Sequence, residues 1–168
     1  FSLCPDDPLF HPKHENPEFY HKDAAYHNGT IWVWNTGPYV SASCAGGVIS
    51  RSGLLPQKAA ALLRNEARMV VSSGTLGTLS ENIHAEPAES GDPVLSGTWS
   101  QAWSVSEFAR NVYQDVIGFQ PRLAENSILL APHLPADCAY WRADLRFGPG
   151  WKLSVCLERT ANKSEGKD

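Results

Sequence analysis

The 168 residues contain no apolar run long enough to cross a bilayer. The opening Phe1-Ser2-Leu3-Cys4-Pro5 has neither an initiator Met nor the basic-then-apolar order of a signal peptide. These absences read as a chain truncated upstream, outside any membrane, with a cytoplasmic location expected. Positive charge is also scarce: 14 Lys and Arg against 18 Asp and Glu leave a net charge of −4, and the basic residues form no cluster. A nucleic acid or an anionic membrane needs a basic footprint, so neither is expected as a partner. There are four cysteines, Cys4, Cys44, Cys138 and Cys156, and no C-x-x-C pair. A zinc knuckle is excluded, and the thiols read as free and buried. Among the histidines, His11 and His14 or His21 and His27 lack a carboxylate or Cys that would complete a ligand set at metal spacing. No glycine-rich phosphate loop and no Ser-His-Asp order is visible, so neither metal nor cofactor is expected.

An apolar content of 42% with 19% charged residues fits one globular domain or part of one. Over residues 1–22, Pro5, Pro8, Pro12 and Pro17 prevent helix interiors and central strands, which predicts an extended leading segment. Helices are predicted from Trp34 to Ala45, closed by Gly46-Gly47, and from Pro56 to Gly74, where Leu62, Leu63, Ala67, Val70 and Val71 recur at helical spacing. Residues 75–97 are rich in Gly, Ser, Pro and acidic side chains and form a loop too long for a mere connection. A third helix is predicted from Thr98 to Ile117, with Thr98 and Gln101 spaced as a capping box and Gly118 as its stop. Residues 139–147 and 151–157 then alternate with period two around Gly148-Pro149-Gly150, which predicts a hairpin, and Ser127–Ala131 offers a third strand. The polar stretch from Thr160 reads as a flexible tail. The divisions are therefore a leading segment (1–22), a helical body (23–120), a β unit (121–159) and a tail (160–168).

Rings and hydrogen-bonding side chains crowd around a glycine in Asp23-Ala-Ala-Tyr-His-Asn-Gly-Thr-Ile-Trp-Val-Trp34, followed by Gly37-Pro38-Tyr39. Flat aromatic faces suit sugar C–H groups, and His, Asn and Thr can satisfy hydroxyls. The plainer reading makes Trp32 and Trp34 core residues at a helix start, because aromatics bury large areas wherever they sit. Asn28-Gly29-Thr30 is formally a glycosylation sequon, but it lies inside this block.

The block His27-Asn28-Gly29-Thr30-Ile31-Trp32, with Trp34 and Gly37-Pro38-Tyr39, resembles the H-(Q/N)-G-T-(V/I)-W-P-W…G-P-(F/Y) signature of amylo-α-1,6-glucosidases, the glycogen debranching family, with Val33 where the family has Pro. Leu79-Ser80-Glu81 resembles its S-E or P-E motif, and Ser100-Gln101-Ala102-Trp103-Ser104-Val105 its Q-A-W-S helix start. After Glu81, Asn82-Ile83-His84-Ala85-Glu86 departs from the acidic, glycine-containing continuation of bacterial relatives. The segment from Ala124 to Pro135 is similar to the closing β segment of related α-glucan enzymes.

That resemblance implies a mainly α fold: the C-terminal segment of an (α/α)6 toroid followed by a small antiparallel β unit. It implies an inverting α-glucan hydrolase in which Glu81 is the general base, with His27, Asn28, Thr30, Trp32, Trp34 and Gln101 contacting substrate. Glu86 and Glu89 read as solvated loop residues, Asp23 is placed for a substrate contact, and Asp137 and Asp144 read as structural. No Asp block matches the family's general acid, so the partner needed is the missing N-terminal part of the enzyme. The chain alone is expected to be inactive and prone to self-association through uncovered helix faces. The alternatives are another toroid glycosidase of the processing-glucosidase or trehalase kind, and a non-catalytic glucan-binding or assembly module.

Overall fold

A turn-rich leading segment runs into α1 (Lys22–Tyr26), β1 (Ile31–Trp32), a 3-10 turn (Val33–Asn35) and α2 (Thr36–Ala45). There follow α3 (Gln57–Ser72), β2 (Asn82–Ile83), β3 (Leu95–Ser96) and α4 (Ala102–Arg110), which a π-helical turn (Asn111–Val116) extends. Four strands complete the order: β4 (Phe119–Arg122), β5 (Ser127–Leu130), β6 (Tyr140–Phe147) and β7 (Trp151–Glu158). The computed structural model describes residues 1–15, 18–45, 55–147 and 149–159. The Gly46-Gly47 helix stop and the tail expected from Thr160 lie outside the described residues.

α2 and α3 form within the stretches predicted as helices, whereas α1 was not predicted. Pro56 lacks an N–H that the first turn would leave unpaired, and α3 starts directly after it. Along α3 the buried positions Ala59, Ala60, Leu63, Glu66 and Met69 fall on one stripe. That stripe packs in two places. Ala59, Ala60 and Leu63 meet Val40 and Cys44 of α2 together with Val116 and Leu134. Met69 meets Val33 and Leu79 beneath the small sheet. Cys44 is the one buried thiol among the described residues; Cys4 and Cys156 are exposed and Cys138 is intermediate, so the expected burial holds for Cys44 alone.

The expected mainly helical toroid segment is not what forms. Among the described residues, about 36% are helical and 21% strand, with four helices and three small antiparallel sheets. The helix expected from Thr98 begins only at Ala102, because Gln101 stands at its N-cap without a side-chain cap bond. Its last turns open to π geometry before Ile117. Beyond Gly118, residues that continue no helix pair instead as β4 and β5, in register from Phe119 with Leu130 to Arg122 with Ser127. Pro121 fits there because a two-stranded sheet leaves each strand an edge free of ladder bonds. β5 therefore pairs with β4, and the third strand expected for the terminal hairpin does not join it.

That hairpin is the longest pairing, from Tyr140 opposite Glu158 to Phe147 opposite Trp151. Its inner face buries Leu145 and Val155 against Ile117 and Phe119. In the small sheet, β2 lies between β1 and β3. Residues directly opposite in an antiparallel pair share a face. Ile31, Ile83 and Leu95 thus form one row, and Trp32, Asn82 and Ser96 the other. Ile83 and Leu95 pack on the Val33, Met69 and Leu79 cluster, which leaves the Trp32 row on the opposite side.

Candidate active site

Leu79 is 1% exposed, and this anchor delivers Ser80 and Glu81 to the edge of the small sheet. Burying such a side chain contributes about 1.5–3 kcal/mol. The backbone of Glu81 is fixed on both sides: its N–H donates to the Thr98 carbonyl at 2.9 Å, and its carbonyl accepts from Val33 at 3.2 Å. Ser80 Oγ donates to the Asn82 carbonyl at 2.9 Å and steadies the same turn.

The Glu81 carboxylate is buried and surrounded by donors from three parts of the chain. The Tyr26 hydroxyl donates to Oε1. Thr98 donates to Oε2 twice, from its backbone N–H at 3.0 Å and its hydroxyl at 3.1 Å. The Gln101 side chain supplies a further hydrogen bond. Burial by itself pushes the carboxyl pKa up, but the bonds from Tyr26, Thr98 and Gln101 together outweigh it and hold the group below the usual carboxylate range. Glu81 is therefore ionised at neutral pH. Tyr26 is the complement: burial, the bond to Glu81 and the charge on Glu81 push its phenol up to about 12, so it remains a donor.

Gly97 makes room for this carboxylate. Its φ is +69°, and a Cβ there would stand 2.6 Å from Glu81 Oε2 and 2.7 Å from Asn82 Oδ1. A side chain would be both strained and in collision. Asn82 is fully buried, and neither end of its amide has a partner among the described residues.

Tyr26 joins the carboxylate to an aromatic cluster. Its ring lies 4.5 Å from Trp32, 4.9 Å from His27 and 5.3 Å from the buried His14, measured between centroids. His27 stacks on Trp32 at 5.4 Å, and Trp103 of α4 approaches Trp32 at 6.0 Å. The Trp32 indole N–H donates to the Tyr26 carbonyl at 2.9 Å, which fixes the ring in place. His27, Trp32, Trp34, Asn35, Trp103, Ser106 and Glu107, with Phe1 and Ser2, line an open depression of about 690 Å³.

Of the residues singled out in the sequence, His27, Trp32 and Trp34 lie in the wall of this depression. Asn28 and Thr30 turn inward: Asn28 Nδ2 donates to the Ala24 carbonyl at 2.8 Å, and Thr30 Oγ1 to the Tyr26 carbonyl at 2.9 Å. Both shape the turn that presents Tyr26 and His27. Gln101 reaches Glu81, and Glu81 meets the depression's wall through Tyr26. Thr98 and Gln101, spaced like a capping box, leave α4 uncapped and spend their side chains on the carboxylate. Sequence reading missed Tyr26, Thr98, Trp103 and Glu107 as site residues. Tyr26 immediately precedes the His-Asn-Gly-Thr block and Trp103 is inside the Q-A-W-S block, so adjacency was a usable signal for both.

A second cavity, of about 520 Å³, lies on the other face of the sheet, with Ile31, Ile83, Met69 and Glu66 in its wall. It shares only Ile31 and Ile83 with the site's supporting strands and Val33 with the 3-10 turn, and none of the site's polar groups.

A family model described as amylo-alpha-1,6-glucosidase matches residues 1–110, which include Tyr26, Glu81, Thr98, Gln101 and the aromatic wall. No curated protein and no solved structure matches the chain. No described helix is long and apolar enough to cross a membrane. With well over half of its length matched by that one family, the chain belongs to the amylo-alpha-1,6-glucosidase family and is related to glycoside hydrolases.

Proposed function

We propose that this chain carries the general base of an inverting hydrolase that cleaves α-1,6 branch bonds of a glucan, and that Glu81 is that base. The observation that carries the reading is the carboxylate itself: ionised, buried, held by Tyr26 and Thr98, and one residue removed from an aromatic depression. A solvated loop glutamate has no such cage. In the reaction, a water oxygen attacks the anomeric carbon while the bond from that carbon to the glycosidic oxygen breaks. Glu81 takes a proton from the water, and a carboxylic acid on the other side, roughly 6.5–9.5 Å away, gives one to the leaving oxygen.

A carboxylate offers about four acceptor positions. Tyr26 and Thr98 take three of them and Gln101 the fourth, so the attacking water would enter by displacing one of these donors. Trp32, Trp34 and Trp103 offer stacking faces for the glucose rings, and His27 a polar edge. The general acid is assigned to another part of a longer enzyme, so the 168 residues by themselves should not hydrolyse glucan. The non-catalytic binding module is less well supported, because binding alone needs no ionised, enclosed carboxylate.

The test is Glu81→Gln in the full-length enzyme, assayed on a branched oligosaccharide. The amide keeps the shape but takes no proton, so turnover should fall by about 10²–10⁴-fold with oligosaccharide affinity retained. Full activity in that variant would overturn the assignment.

A further inference from the structure

Glu107 is the one acidic side chain in the wall of the aromatic depression. It follows Trp103 by one turn of α4, so the two project from the same helix face. Its carboxylate is held from behind by Arg110, whose Nε lies 3.1 Å from each oxygen and whose Nη2 lies 2.7 Å from Oε2. The guanidinium is anchored in turn, with Nη1 2.9 Å from Ser41 Oγ on α2 and 3.4 Å from Asp115 Oδ2 in the π-helical turn. The first turn of α2 also yields to this group: a Cβ on Gly37 would lie 2.0 Å from Glu107 Oε2.

From this arrangement we infer that Glu107 is a specificity-determining residue that accepts a hydrogen bond, on Oε1, from a hydroxyl of a sugar unit lying against Trp103. Arg110 contacts Oε1 once, through Nε, and Oε2 twice, through Nε and Nη2, so about one of the four acceptor positions remains, on Oε1. The side chain is about a quarter exposed, at 26%, which keeps that position within reach of a ligand. Arg110 is shared between Glu107 and Asp115, so the group keeps a net negative charge and suits a hydroxyl donor better than an anion. Stacking on Trp32, Trp34 and Trp103 selects the flat face of a ring, and the carboxylate selects its orientation by the direction of its hydroxyls. A π-helical turn directly after α4 lets Arg110 and Asp115 meet where regular helix geometry would carry them apart.

The identity of the ligand as a glucan rests on the function proposed above; the acceptor role of Glu107 does not. The experiment is isothermal titration of the full-length enzyme with maltotetraose, comparing the parent, Glu107→Gln and Glu81→Gln, with thermal melting of each. Glu107→Gln keeps the shape and loses the charge and half of the acceptor capacity. It should weaken binding about 10-fold or more, in line with the loss of hydrogen bonds to a charged group, and raise KM with kcat nearly unchanged. Unchanged affinity in a folded Glu107→Gln protein would overturn the inference and leave Glu107 as a brace for Arg110. If that variant does not fold, Glu107→Asp keeps the charge on Arg110 and withdraws the oxygens by one methylene, and the same readout applies. Glu81→Gln separates the two proposals: loss of turnover there with unchanged affinity in Glu107→Gln would sink only this one.

Discussion

The terminal hairpin and the small sheet beneath the candidate site are both antiparallel, and they are held together in opposite ways. β6 and β7 are consecutive strands that share eight paired positions and alternate strictly, and they bury Leu145 and Val155 against Ile117 and Phe119. In the small sheet each strand has two residues, and while β2 and β3 are near in sequence, β1 pairs with β2 from about fifty positions away. No isolated pairing that short is stable, so its geometry depends on what surrounds it: Leu79 below, and Tyr26, Thr98 and Gln101 around the carboxylate. The hairpin is specified by two consecutive strands, whereas the candidate site is assembled from segments as far apart as Tyr26 and Glu81.

The comparison breaks most visibly in the hairpin. Leu145→Ala should cost about 2–5 kcal/mol, the usual penalty for emptying a buried aliphatic site, and leave KM and the pH profile of the folded full-length enzyme unchanged. Urea denaturation and steady-state kinetics check both halves. A changed KM would mean that the two regions are coupled.

Gly97→Ala is the reverse case. The methyl group would meet the Glu81 carboxylate at a φ of +69°, so we expect a loss of about 1–3 kcal/mol together with a loss of turnover that exceeds the change in stability. Near-parental turnover would show that the carboxylate has freedom the packing does not suggest.

Tyr26→Phe removes one donor from Glu81 without emptying space. The bonds that depress the carboxyl pKa are then fewer, so that pKa should rise, and the acid limb of the kcat/KM profile should move to higher pH with a rate loss of about 10-fold. An unshifted limb would detach Tyr26 from the base.

The smallest effect is expected on the far side of the sheet. Burial pushes the Glu66 carboxyl up to about 7, only partly opposed by its bond to Thr36. The folded state then binds a proton more tightly than the unfolded chain, so this group's stabilising contribution is full below about pH 4.5 and declines as pH rises through about 7. Glu66→Gln should flatten that decline and add about 1–2 kcal/mol at pH 8, with turnover unchanged. A steeper decline in the variant would contradict this sign.

How much of this was legible depends on how far each residue's partners lie along the chain. The α3 stripe and the alternation of β6 and β7 are set by neighbours within a few positions, and both formed where expected. The helix from Thr98 was misread because Thr98 and Gln101 satisfy the capping pattern in sequence, while the carboxylate at position 81 competes for the same side chains. The toroid expectation came from resemblance alone. It included a β unit after the helices, but not the pairing of Phe119–Arg122 with Ser127–Leu130 or a loop before Thr98 that supplies β2 and β3.

Periodicity by itself determined the hairpin and the long helix, and the ordered motifs, through their resemblance to a known family, pointed to the family and to Glu81 as the carboxylate to watch, since each is written in residues that are adjacent or regularly spaced. Only the tertiary structure decided that Tyr26 and Thr98 hold that carboxylate ionised, that Asn28 and Thr30 turn inward, and that Glu107 faces the aromatic wall. The direction of a side chain and the protonation state of a buried group depend on desolvation and hydrogen bonds from distant segments, and no local pattern encodes those.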